Sequence, residues 1–153
     1  MAHHVVIPAR YASTRLPGKP LLDIGGRTMI QRVVDQAAAS SADRVLVATD
    51  DERIAVAVRD PRGRSSSIAV MTDAALPSGT DRVAVVVRQQ GWDDDTIVVN
   101  VQGDEPFMPP CLIDQVAGLL ARDPVAAIAT LATPILSLHE FLDPNVVKVV
   151  FSA

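Results

Sequence analysis

The loop that follows the first apolar run carries three cations and no acid. It reads RYASTRLPGKP over residues 10–20 and contains Arg10, Arg15 and Lys19. Arginine presents a planar fork to two oxygens and lysine a compact charge, so this set suits several phosphoryl groups at once. A solvated basic turn is the simpler interpretation. We favour a polyphosphate site, because the chain as a whole has a net charge of −4.

The same loop matches neither of two common phosphate-binding motifs. A Walker A loop reads G-x-x-x-x-G-K-[ST] and a dinucleotide-binding turn reads G-x-G-x-x-G, whereas residues 10–20 contain a single glycine, Gly18. Ser13 and Gly18 permit tight backbone geometry in which N–H groups point towards an anion. The sequence therefore predicts polyphosphate binding by a different kind of loop.

A second loop, VNVQGDEPFMPP, brings acids to the end of a later apolar run. Gln102, Asp104 and Glu105 follow that run directly. Mg²⁺ typically takes one or two protein carboxylates and lets a nucleotide supply other oxygens, so Asp104 is the candidate metal ligand. A Gly-Asp pair before proline is also a common turn. The metal interpretation requires this loop to face the basic one.

A third loop, ALPSGTDRV, combines a helix start with polar side chains. Ser78 followed by Asp81 is a capping-box pattern, and a capped helix is the simpler interpretation. Ser78, Gly79 and Arg82 are also suited to contacts with a nucleotide base or ribose. We assign no chemistry to Cys111, because no histidine lies near it in the sequence.

Alternating strands and helices are predicted to position these loops. Runs rich in Val and Ile predict strands at 5–9, 44–48, 67–71, 96–101, 126–130 and 146–150. Apolar residues at helical spacing predict helices near 29–38, 83–87 and 112–120. This alternation predicts an α/β fold, a three-layer sandwich with a mostly parallel, Rossmann-like sheet. Ligands of such sheets bind beyond the carboxyl ends of the strands, where the three loops are expected to meet.

Composition limits the class of protein. The 153 residues are 48% hydrophobic and 3% aromatic, enough for one globular domain packed mainly by Val, Ala, Leu and Ile. The acidic balance gives no general attraction to nucleic acid or to anionic membrane. A single cysteine forms no internal disulfide, and no apolar run has membrane-spanning length. A cytoplasmic protein is therefore expected.

Five motifs taken together resemble one enzyme family. VVIPARYASTRLPGKPL, VATDD, PSGTDR, VNVQGDEP and PNVVKVV run in this order over nearly the whole chain. They closely resemble the 3-deoxy-manno-octulosonate (KDO) cytidylyltransferases, also called CMP-KDO synthetases. The CMP-sialic acid synthetases share the IPAR opening, but their loop typically continues with a G-S-K type sequence. The resemblance therefore favours KDO as the sugar.

The resemblance implies a fold of the nucleotide-diphospho-sugar transferase type and an Mg²⁺-dependent reaction. That reaction transfers CMP from CTP to KDO, with release of pyrophosphate, for lipopolysaccharide synthesis. By the same motifs, Arg10, Arg15 and Lys19 would bind phosphates and Asp104 the metal. Nucleotide contacts are implied for Ala9, Arg10, Ser13, Lys19, Ser78, Gly79 and Gln102.

Members of this family normally continue well past the position of residue 153. The missing part contributes much of the sugar site, a second acidic metal ligand and most of the dimer contact, as the resemblance implies. We therefore expect residues 1–153 to form one nucleotide-binding domain, and the full-length protein to be a homodimer. Two alternatives stay open: a related CMP-sugar-acid synthetase, such as one for sialic acid, and a non-catalytic CTP-binding fragment.

Overall fold

A computed structural model describes residues 2–12, 16–65 and 67–150, which form a parallel α/β sheet with helices on both faces. The strands are β1 (His4–Ala9), β2 (Arg44–Thr49), β3 (Ala69–Met71) and β4 (Val98–Asn100). Their order is β3-β2-β1-β4, and each neighbouring pair is parallel. The predicted α/β fold class is confirmed.

The strand register brings the carboxyl ends of the first three strands to one edge of the sheet. Ala9 pairs with Thr49, and Thr49 pairs with Met71. On the other side of β1, Val6 pairs with Asn100, and the Val101 N–H donates to the Val6 carbonyl at 3.2 Å. The chain leaving β4 therefore continues beside Pro8 and Ala9. Loops from distant parts of the sequence meet at this edge.

The described residues also form five helices and one short 3₁₀ turn. The helices are α1 (Met29–Ala38), α2 (Glu52–Ala57), α3 (Gly79–Gln90), α4 (Pro110–Leu120) and α5 (Leu138–Leu142), and the 3₁₀ turn is Lys19–Leu21. Ser78 and Ser137 each accept a hydrogen bond from the backbone N–H three residues on, at 3.1 Å. These bonds satisfy N–H groups that a helix start leaves free. Among the described residues, no helix has the length and apolar character needed to cross a membrane.

Alternation along β1 divides the core into two clusters. Val5 and Ile7 pack on one face of the sheet in a cluster shared with α1, α2 and α4, whereas Val6 faces Val83 and Val86 of α3. Successive strand residues point to opposite faces, so helices on both faces bury nearly every position of the strand. This is the physical origin of the continuous apolar runs and of the three layers.

The structure corrects the sequence-based prediction of strands in the second half of the chain. In the described residues after α4, segments 126–130 and 146–150 are not strands, and Ile128 and Val147 are 83% and 89% exposed. β-Branched residues favour strands only when an edge is available to pair with and pack on. Residues 128–131 instead line one side of a groove of about 610 Å³ beside β4. β4 is thus an edge strand within the described part of the chain.

Candidate functional site

A cavity of about 320 Å³ lies at the carboxyl edge of the sheet, between the first, third and fourth strand-to-helix loops. Its wall includes the predicted residues Ala9, Arg10, Lys19, Ser78, Gly79, Gln102 and Asp104. Ser13 and Arg15, also predicted for the site, lie outside the described residues. The three loops selected from the sequence therefore contribute to a single cavity.

Lys19 is positioned by a tight turn that packs on a tyrosine. Gly18 precedes the 3₁₀ turn with a φ of 71°, in the left-handed region that favours glycine. The Gly18 N–H donates to the Tyr11 carbonyl at 3.0 Å, and a β-carbon on Gly18 would lie 3.2 Å from the Tyr11 ring. The start of the first loop is thereby folded back on itself.

The ring of Tyr11 is also in contact with an arginine of the second helix. The Arg53 guanidinium lies 3.4 Å from the centre of the tyrosine ring, a cation–π contact. Arg53 also forms two hydrogen bonds with Asp51, at 2.9 and 2.7 Å, and these lower the pKa of the Asp51 carboxyl. The basic loop is therefore braced against α2.

Asp51 caps α2, although Thr49 followed by Glu52 is a capping-box pattern in the sequence and predicts a helix start at Thr49. The Asp51 carboxylate accepts a hydrogen bond from the Arg53 N–H at 2.9 Å. Thr49 is the last residue of β2 and is fully buried, and its hydroxyl accepts from the Asp51 N–H at 3.2 Å. The capping-box pattern that begins at Thr49 was wrong, because pairing within the sheet extends the strand through that residue.

Lys19 and Asp104 are in direct contact across the cavity wall. The Nζ of Lys19 lies 2.7 Å from Oδ2 of Asp104, and the two side chains are 36% and 52% exposed. The acidic loop approaches β1 closely because residue 103 is glycine. A β-carbon on Gly103 would lie 2.8 Å from the Pro8 carbonyl oxygen, closer than real β-carbons come to such an atom. The cationic and acidic side chains predicted for the site are therefore neighbours.

The third loop and the start of α3 contribute Leu76, Ser78, Gly79 and the buried Arg82 to the cavity wall. The Ser78 hydroxyl accepts from the Asp81 N–H and donates to the Asp81 carboxylate at 2.5 Å, so it is engaged in capping α3. Gly79 lies against the Pro8 ring, where a β-carbon would approach within 3.2 Å. Arg82 lines the same wall and is 2% exposed.

Two residues that the sequence analysis did not select hold Arg82. Its guanidinium donates to the Thr72 hydroxyl and, at 3.2 Å, to the Asp50 carboxylate. Asp50 follows β2 directly and Thr72 follows β3 directly. Position at a strand's carboxyl end was the one signal available, and it does not distinguish these residues from their neighbours.

The described residues offer one carboxylate, Asp104, on the cavity wall. No group of three or more His, Cys, Asp or Glu side chains in residues 2–12, 16–65 and 67–150 is arranged to hold a metal ion. A lone carboxylate still fits Mg²⁺, which is commonly held by one or two carboxylates together with phosphate oxygens and water. A metal at this position would therefore depend on a bound phosphate-bearing ligand.

Comparison with known sequences gives a consistent result. A family model described as cytidylyltransferase matches residues 4–153. The 3-deoxy-manno-octulosonate cytidylyltransferase of Thioalkalivibrio sulfidiphilus is 54% identical over 153 residues, which is all of this chain and 60% of that protein. The enzyme of the same name from Aeromonas hydrophila is 55% identical over 98% of this chain and 59% of its own length. The chain thus spans about 60% of the curated relatives it matches.

Solved structures show the same fold. A CMP:2-keto-3-deoxy-manno-octonic acid synthetase in complex with CTP is similar with a TM-score of 0.70 and 42% identity, over 81% of this chain and 48% of that one. A cytidylyltransferase from Leptospira borgpetersenii reaches a TM-score of 0.60 at 21% identity, over 81% of this chain and 50% of that one. The second similarity concerns the fold alone.

Proposed function

The chain belongs to the cytidylyltransferase family, and from that premise we propose that it is the nucleotide-binding part of a 3-deoxy-manno-octulosonate cytidylyltransferase. The reaction would transfer CMP from CTP to KDO and release pyrophosphate, as a cytoplasmic step of lipopolysaccharide synthesis. The observation that carries the proposal is one cavity in which Lys19 of the basic loop contacts Asp104 of the acidic loop. The names of the relatives at 54–55% identity support KDO as the sugar.

The basic loop would bind the triphosphate of CTP. Arg10 and Lys19 line the cavity, and Arg10 is exposed, so its charge is accessible to a ligand. Charge-assisted hydrogen bonds from such side chains to phosphate oxygens are shorter and stronger than neutral ones. Ser13 and Arg15 belong to the same loop and are proposed to act with them. Ala9 would contact the nucleotide through its backbone, at the end of β1.

The acidic loop would hold Mg²⁺ through the Asp104 carboxylate, with phosphate oxygens of CTP as further ligands. When bound, the ion would neutralise charge on the phosphates and help to orient them. Gln102 lies on the same wall and is exposed, so its amide is available to nucleotide or sugar. Lys19, which contacts Asp104, would then turn to the phosphates.

The third loop would hold the cytidine. Ser78 and Gly79 begin α3 on the cavity wall, and with the Ser78 hydroxyl engaged in the helix cap, contact would come from their backbone. With the nucleotide held along both loops, the anomeric hydroxyl of KDO would attack the α-phosphorus as the bond to pyrophosphate breaks. Positioning and charge neutralisation dominate such a transfer, and no covalent enzyme intermediate is needed.

Calorimetric titration with CTP and MgCl₂, followed by an assay of sugar-dependent pyrophosphate release, tests the proposal. We expect saturable CTP binding, and turnover with KDO rather than sialic acid. Turnover with sialic acid would instead identify a related CMP-sugar-acid synthetase. Binding without turnover would leave a CTP-binding unit that needs the rest of a longer protein. Absence of CTP binding would refute the proposal.

A further inference from the structure

Arg82 is a buried cation placed where helix electrostatics do not favour it. It is the fourth residue of α3, within the positive end of the helix dipole, and is 2% exposed. Buried charges are tolerated when they are paired and hydrogen-bonded. Its partner is Asp50, whose side chain is 10% exposed. A position that conflicts with helix electrostatics and requires a buried partner is typical of a functional side chain.

The Asp50–Arg82 pair is incompletely satisfied. Asp50 Oδ2 accepts from Arg82, whereas its buried Oδ1 has no hydrogen-bond partner within the described residues. A guanidinium has five N–H donors, and Arg82 uses two within the described residues, one to Asp50 and one to Thr72. Arg82 itself is one of the residues that line the cavity. Arg82 therefore has N–H donors that no described residue occupies while it keeps both partners.

Arg82 differs from the cations of the basic loop in its burial and in its position on the cavity wall. Arg10 and Lys19 lie on the side of the cavity formed by the first loop, where phosphates are proposed to bind. Arg82 is neutralised by Asp50 and lies beside Ser78 and Gly79, where the cytidine is proposed to bind. Unlike the exposed Lys19–Asp104 pair, a buried and neutralised pair with unused donors suits the uncharged part of a ligand that presents hydrogen-bond acceptors.

We propose that Arg82 is a specificity-determining residue that reads the pyrimidine, donating to N3 and O2 of cytosine and thereby selecting CTP over UTP. Cytosine presents two adjacent acceptors, and a planar guanidinium fork matches such a pair. Uracil carries a hydrogen on N3, which would oppose an Arg82 N–H, donor against donor. A site built to hydrogen-bond its ligand strongly rejects an analogue that leaves the site's polar groups unpaired. Asp50 and Thr72 are positioning residues, and the inference rests on the proposed function.

The test compares the binding of CTP, UTP and inorganic tripolyphosphate, each with MgCl₂, by calorimetry. In the parent chain we expect CTP to bind at least about tenfold more tightly than UTP. Arg82→Lys removes the fork but keeps the charge, and should reduce that ratio about tenfold while tripolyphosphate affinity stays within about twofold. Arg88→Lys, an exposed arginine on the same helix, is the control and should leave the ratio unchanged.

Two further variants keep the test decisive where Arg82→Lys does not fold. Asp50→Asn and Thr72→Val each remove one anchor and leave Arg82 in place, and each should reduce the CTP-to-UTP ratio about threefold at unchanged tripolyphosphate affinity. An unchanged ratio in every folded variant, or equal losses for CTP, UTP and tripolyphosphate, overturns the inference. A parent chain that binds neither CTP nor tripolyphosphate refutes the proposed function instead.

Discussion

Lys19 and Asp104 are 85 positions apart in the sequence and in direct contact in the fold, with Nζ 2.7 Å from Oδ2. In the absence of a ligand, the lysine proposed for phosphate and the aspartate proposed for metal neutralise each other. The phosphates of the nucleotide would take the place of Asp104 beside Lys19, and the metal would take the place of Lys19 beside Asp104. Because both side chains are partly exposed, the pair itself contributes only ~0–1 kcal/mol, and exchanging partners costs little.

Lys19→Ala is expected to weaken CTP binding at least about tenfold, equivalent to ~1.4 kcal/mol, because a full charge is removed from the phosphate loop. Titration calorimetry in MgCl₂ measures the effect. Lys148→Ala is the matched control, since Lys148 is the other lysine of the chain, is exposed and does not line the cavity. CTP affinity within about twofold of the parent in Lys19→Ala would contradict the phosphate assignment.

Asp104→Asn is expected to weaken CTP binding in the presence of the metal but not in its absence. In MgCl₂ the variant should bind CTP more weakly, because the proposed metal ligand loses its charge. In EDTA it should bind CTP as well as the parent or up to about fivefold more tightly, since Lys19 is released from an exposed ion pair. Asp94→Asn, at an exposed acid, should change neither value. Weakening by the same factor in both buffers would indicate a structural turn instead.

Gly103→Ala is expected to destabilise the chain by ~1–3 kcal/mol and to weaken CTP binding, because the new β-carbon would press on the Pro8 carbonyl. Urea unfolding and calorimetry measure the two effects. Gly118→Ala is the control: a β-carbon there meets no atom within 4 Å, and alanine in a helix interior is favoured by ~1 kcal/mol. If Gly103→Ala is as stable as the parent, the two loops are not in the close contact described.

His4 is expected to make the free energy of unfolding of the chain smaller as the pH drops below 6.5, the ordinary pKa of histidine. Burial lowers the pKa of His4 below 6.5; Arg44 and His3 lower it further, and Asp43 opposes the shift. The unfolded chain therefore binds more protons than the folded one just below pH 6.5, so folding weakens as pH falls through that range. His4 also stacks on Trp92, with ring centroids 4.2 Å apart.

Urea unfolding at about pH 7.5 and about pH 5.5 measures this effect. His4→Phe retains a ring against Trp92 but does not titrate, so its loss of stability between the two pH values should be smaller than that of the parent. His139→Phe, at an exposed histidine, should lose as much stability as the parent does. Equal losses in His4→Phe and the parent would exclude His4 as the cause.

Part of the cavity wall could be predicted from the sequence, because some of its residues are recognisable by their type and by their position after a strand. The cations of residues 10–20 and the acid of the VNVQGDEP loop stand out by type, and strand ends in a parallel sheet meet at one edge. Asp50 and Thr72 carry no such signal, because their partner Arg82 lies 32 and 10 residues away and is identified only by the contact. The assignment of ligands to these side chains remains a prediction.

The sequence by itself determined strands β1 to β4, helices α1, α3 and α4, and the types of residue in the loops, because hydrophobic periodicity, helix caps and residue type are local properties. Only the tertiary structure decided that 126–130 and 146–150 are not strands in the described part, since a strand requires a neighbouring edge. It also decided that Lys19 meets Asp104 and that Gly103 passes against Pro8. Both contacts depend on the register between β1 and β4, which long-range backbone hydrogen bonds set.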